Sequence, residues 1–132
     1  MEIIVKRILP EQDIKERLCH FLHENQLTGA AIVSAVGSVK EYALRVSDGT
    51  SIIRGVENRE IVSLSGILTE EGIHVHMALS GLDGLVIGGH LMEGCLVHTT
   101  LEVVMMSLND DLRREFDPDT GYKELVIKKR AL

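Results

Sequence analysis

The chain is 132 residues long and carries 14 Lys and Arg against 20 Asp and Glu, a formal net charge of −6 at pH 7. One domain over residues 1–132 is expected at this length, and 45% hydrophobic with 26% charged residues excludes disorder as the main state. No apolar run approaches the roughly 20 residues of a bilayer-spanning helix, no basic-then-apolar signal pattern opens the chain, and the acidic balance argues against a surface devoted to duplex nucleic acid. A soluble cytoplasmic protein is expected.

Glu2 to Leu9 reads as a short strand. Pro10 followed by Glu11 and Asp13 opens a helix with acids in its first turn, where the macrodipole favours them. Ile14, Leu18, Phe21 and Leu22 form one apolar stripe and Gly29 supplies a stop, so the spacing predicts a helix over Glu11–Gln26. From Ala30 onward β-branched runs broken by Gly, Asp and Ser take over. Strands are predicted over Ala31–Val36, Val39–Ser47, Glu60–Leu68, Ile73–Ser80, Leu85–Leu91, part of Cys95–Ser107, and Glu124–Arg130. Leu96–Leu108 fits strand or helix, and a short helix is one reading of Asn109–Glu115; the pattern leaves both segments open. The pattern is α+β: antiparallel or mixed sheets with one main helix. Cys19 and Cys95 lack CxxC spacing and are expected as free, buried thiols.

The chemistry concentrates in histidines. Ile73, Val75, Met77 and Leu79 alternate with His74, His76, Ala78 and Ser80, so His74 and His76 share one strand face, with Cβ atoms about 6.5–7 Å apart. If Leu82-Asp83-Gly84 forms a three-residue hairpin loop with Gly84 left-handed, Leu79 pairs with Ile87, Ala78 with Gly88, and His76 with His90. A two-residue Asp83-Gly84 turn would instead set Gly88 against Leu79 and His90 against Met77; keeping apolar opposite apolar favours the longer loop. His74, His76 and His90 are then candidate ligands for zinc or a similar divalent ion, with a fourth position open. If Leu96–Leu108 is strand, His98, Thr100 and Glu102 alternate on it, making His98 and Glu102 candidates for a further ligand or a proton-transfer group. His20 and His23 read as surface residues, Met105 and Met106 as core filling, and Lys128-Lys129-Arg130 as a solvated basic chain end. Nucleotide-binding glycine motifs and a nucleophile-elbow serine are absent.

Taken in order, Arg7-Ile8-Leu9-Pro10, Ala35-Val36-Gly37-Ser38, Ile61-Val62-Ser63-Leu64-Ser65-Gly66, His74-Val75-His76, Gly88-Gly89-His90-Leu91 and Thr99-Thr100-Leu101-Glu102-Val103 resemble the PPC domain, conserved between plants and prokaryotes. The resemblance implies a homotrimer, and prokaryotic members are described as predicted DNA-binding proteins. It also implies a metal held by His74, His76 and His90, and the fold is similar to that of acetolactate decarboxylase, where an H-x-H pair and a later histidine hold zinc. Plant members carry AT-hooks beside the domain; this chain has no Arg-Gly-Arg-Pro core. Three expectations follow. One is a homotrimeric metal-binding protein with a regulatory or DNA-associated role. A second is a small metal-dependent lyase or hydrolase in which Glu102 or His98 moves protons. The third is a module that binds a small anionic ligand at the site without turnover.

Overall fold

The computed structural model describes residues 1–128. Eight strands and one helix follow the order β1 (Ile3–Ile8), α1 (Ile14–Glu24), β2 (Gly29–Arg45), β3 (Ile52–Thr69), β4 (Gly72–Ser80), β5 (Val86–Leu91), β6 (Leu96–Ser107), β7 (Asp111–Asp117) and β8 (Tyr122–Lys128). The first six strands form one antiparallel sheet in the order β1-β6-β2-β3-β4-β5. Long β2 pairs with β6 along its first part, then with β5 at Leu44–Leu91 and Arg45–His90, so the sheet curls back on itself. Strands β7 and β8 form a separate antiparallel hairpin.

Inside the curl lie Leu44, Leu68, Val75, Leu79, Leu91, Val97 and Leu101, all buried, and α1 adds Ile14, Leu18, Phe21 and Leu22 to the same core. The helix is shorter than its apolar spacing suggests. Glu11 sits at φ 72°, outside helical geometry, and Asp13 is the N-cap, its Oδ1 accepting from the Glu16 amide at 3.0 Å. At the other end Gln26, at φ 54°, ends the helix before Gly29 is reached.

Four other expectations change. The two strands predicted over Ala31–Val36 and Val39–Ser47 are one, bent at bulges facing Gly37/Val39 and Val39/Glu41. The strand expected from Glu60 begins at Ile52, because Ile52 to Val56 already ladder onto β2, with Gly55 opposite Tyr42 and Glu57 and Asn58 at an irregularity before pairing resumes at Arg59. Leu96–Ser107 is strand, and Asn109–Glu115 yields strand β7 rather than a helix, since Leu112, Arg114 and Phe116 pair with Ile127, Leu125 and Lys123. Cys95 is buried, its Sγ donating to the Ala43 carbonyl at 3.2 Å, but Cys19 is exposed on the flank of α1. Of the basic chain end, Lys129 and Arg130 lie outside the described residues, as does the end of the strand predicted to Arg130. No helix among the described residues is long and apolar enough to cross a membrane.

Direct cross-strand partners share a sheet face. Ile3–Met106–Ala31–Ile67–His74 is one such row, so the histidines stand on the outer face, which also carries the exposed Ile3 and Val5.

Candidate metal centre

The β4–β5 connection is the three-residue loop its sequence suggests. Gly84 is left-handed at φ 79°, the Gly81 amide donates to the Leu85 carbonyl at 2.9 Å, and Leu79, Ala78 and His76 pair with Ile87, Gly88 and His90. That register brings the three imidazoles together. Ring centroids are 5.1 Å apart for His74–His76, 5.4 Å for His74–His90 and 5.8 Å for His76–His90. One ligand atom from each lies within 4.8 Å of the others, a spread that side-chain rotation closes onto one ion with bonds of about 2.0–2.1 Å.

Two features test the fit of such an ion. The Nδ1 of His90 is buried and has no hydrogen-bond partner, a costly state for a polar atom unless a ligand satisfies it. The surroundings also disfavour charge on the imidazoles. Burial, then the charge of nearby Arg45, pushes the His90 pKa down from 6.5 to about 4. Burial, then His76 and Arg114, lowers that of His74. Neutral imidazoles are the metal-binding form, so the residues fit a borderline-soft divalent cation of the zinc type.

Tight backbone packing sets the geometry. A Cβ on Gly89 would lie 2.6 Å from the Arg45 carbonyl oxygen, so only glycine lets β5 approach β2 this closely beside His90. The histidines open into a cavity of about 790 Å³ roofed by the β7–β8 hairpin. Leu112 is buried and pegs the hairpin against Gly29, while the Glu71 Oε2 in the β3–β4 turn accepts from the Arg114 amide at 2.7 Å. Arg45, at the end of β2, stacks its guanidinium 5.8 Å from the Tyr122 ring centroid.

The structure does not bring His98 or Glu102 into this cavity. Both are exposed on β6, where Glu102 lies level with Arg7 on one side and Val36 on the other. His20 and His23 are exposed on α1, as their pattern implies. The charged residues that do line the cavity are Arg45, Glu71, Arg114, Lys123 and Glu124. No local motif marks them: they come from a strand end, a turn and the hairpin.

The sequence profile of the Plants and Prokaryotes Conserved domain matches residues 1–109. The chain belongs to that family. Among solved structures, this family member superposes on a hypothetical protein from Salmonella enterica with TM-score 0.94 and 36% identity, over 98% of this chain and 95% of the other. The metal-containing protein AF0104 from Archaeoglobus fulgidus matches with TM-score 0.80 and 27% identity, over 96% and 94%. A Bacteroides thetaiotaomicron protein provisionally named as DNA-binding, at 21% identity and TM-score 0.84 over 94% and 91%, shares the fold. The domain is also 43% identical over 126 residues to the bifunctional protein GlmU of Synechococcus sp. (strain JA-3-3Ab), covering 95% of this chain and 20% of that protein. It spans about a fifth of the length of the curated relatives it matches. The hairpin β7–β8 lies beyond the residues matched by the family profile.

Proposed function

We propose that this domain is a metal-binding module. His74, His76 and His90 hold a zinc-type divalent cation, and the open side of the site faces the cleft under the hairpin. The buried, partnerless Nδ1 of His90 among convergent imidazoles carries this reading. The metal-containing relative from Archaeoglobus supports it. A cation so held supplies Lewis acidity toward a ligand oxygen in the cleft. The chain's own contribution is alignment: β4 presents two imidazoles from alternate positions, and β5 presents the third directly opposite His76.

The module assembles as a homotrimer, in line with the family resemblance and with an outer face that leaves Ile3, Val5 and Val36 exposed. Two unpaired cysteines suit a reducing cytoplasm. A DNA-associated role finds little support in a chain of net charge −6. One observation favours a second reading, a metal-dependent lyase or hydrolase: Glu124 lines the cavity, its charge acts on His74, and among the described residues it forms no ion pair. In that reading Glu124 moves the proton, in place of Glu102 or His98.

Elemental analysis of purified protein tests the metal centre. About one zinc-type ion per chain is expected, and His76→Ala should lower affinity by more than about tenfold, because it removes one of three ligands. A folded His76→Ala protein with full metal content would overturn the site.

A further inference from the structure

The β7–β8 hairpin roofs the histidine cleft, and the charges it brings are unevenly used. Arg113 is engaged, its Nη1 3.4 Å from Glu71 and its Nε 2.8 Å from Asp111. Its neighbour Arg114 lines the cleft, and its guanidinium has no carboxylate partner among the described residues. The same holds for Arg45, which stands directly opposite His90 in the β2–β5 pairing and stacks on Tyr122 of the hairpin. Glu71 is occupied by Arg113 and the Arg114 amide, which leaves Glu124 as the free carboxylate against Arg45, Arg114 and Lys123. An acidic chain thus turns unpaired guanidinium groups toward an open three-histidine cleft. Guanidinium forks match carboxylates in a planar, two-bond geometry.

The geometry points to a small organic anion with two oxygen-rich ends as the ligand of this cleft, one end directed at the histidines and the other, a carboxylate, held by Arg45 and Arg114. The first end rests on the metal-centre reading; the second rests on the arginines alone. Ala78 and Gly88, paired beside His76 and His90, leave that part of the cleft floor without long side chains. About 790 Å³ is room for such a molecule. The hairpin, which lies beyond the family-matched residues, supplies one of the two arginines and so sets which anion is accepted.

The test is calorimetric titration of the full chain with succinate, using acetate and 1,4-butanediol as one-ended and uncharged comparisons. It is run on zinc-loaded and on metal-stripped protein, with metal content measured separately. Succinate should bind more tightly than either comparison. Arg45→Gln and Arg114→Gln should each weaken it about tenfold, as loss of a charge-assisted hydrogen bond does, while Arg114→Lys retains part of the affinity and Lys6→Gln on β1 changes nothing. Undetectable succinate binding, binding no tighter than the diol, or equal affinity in the arginine and Lys6 variants would overturn the ligand class. A protein that takes up no zinc overturns the metal centre, and the arginine dependence in stripped protein then still decides the ligand.

Discussion

A Cβ built on Gly66 would lie 2.1 Å from the carbonyl oxygen of His74 and 2.7 Å from the Cα of Val75. Both neighbours are backbone, so no side chain can rotate away, and any larger residue parts β3 from β4 where His74 enters the site. Gly66→Ala should destabilise the fold by about 1–3 kcal/mol, the usual cost of overpacking. Gly84→Ala meets no neighbour and suffers only its φ of 79°, at about 1–2 kcal/mol. Chemical denaturation of the two variants measures the difference, and Gly66→Ala alone should also perturb metal uptake.

Acid should loosen the metal-free protein in a defined window. The His90 pKa is about 4 in the folded chain against an ordinary 6.5. Between those values the unfolded chain binds a proton that the folded chain does not, so stability falls as pH drops from about 6.5 to 4. Above that window His90 contributes no slope. The lowered His74 acts in the same sense. Urea midpoints across the window should fall with acidification, and His90→Gln should flatten the profile relative to the parent.

Much of the site could be read from local pattern, because the histidine register depends on one loop. Gly84 supplies the left-handed residue, and pairing Leu79 with Ile87 leaves His76 nowhere to face but His90. The fold class and the central strands follow from the same alternation. The hairpin roof could not be read this way. Arg113-Arg114 and the acids around them show no clean period, and the hairpin's position is set by contacts distant in sequence, Leu112 on Gly29 and Arg114 on Glu71. The start of β3 was hidden for a related reason: Arg54, Gly55, Glu57 and Asn58 break the apolar pattern, and it is the pairing of Ile52 to Val56 with β2 that starts the strand there.

Assembly is open to direct measurement. Val5 is 69% and Ile3 59% exposed on a continuous outer sheet face, an arrangement that invites a partner. Sedimentation at micromolar concentration should give a trimer, and Val5→Glu should shift it toward monomer. A well-behaved monomer of the unaltered chain would remove the trimer from the proposed function.

Duplex DNA should bind weakly. With net charge −6, only a local basic patch can neutralise phosphates, and such binding falls steeply with salt. Titration of labelled A·T-rich and mixed duplexes at about 150 mM salt should give a Kd no tighter than about 10⁻⁴–10⁻⁶ M. Nanomolar, sequence-selective binding would move the functional centre away from the histidines.

All three imidazoles come from one β-hairpin, residues 74–90, closed by a three-residue loop. Chelation there would tie together segments already adjacent along the chain, so the ring it closed would be small and the entropy lost in closing it modest. The three histidines therefore reach their register through one local turn, while the backbones of β2 and β3, packed against Gly89 and against Gly66's partner strand, hold that hairpin in shape. Slow hydrogen exchange at the Val75, Met77 and Gly89 amides on metal addition, with little change in β1 or α1, would be the signature of a centre that stiffens its own hairpin first.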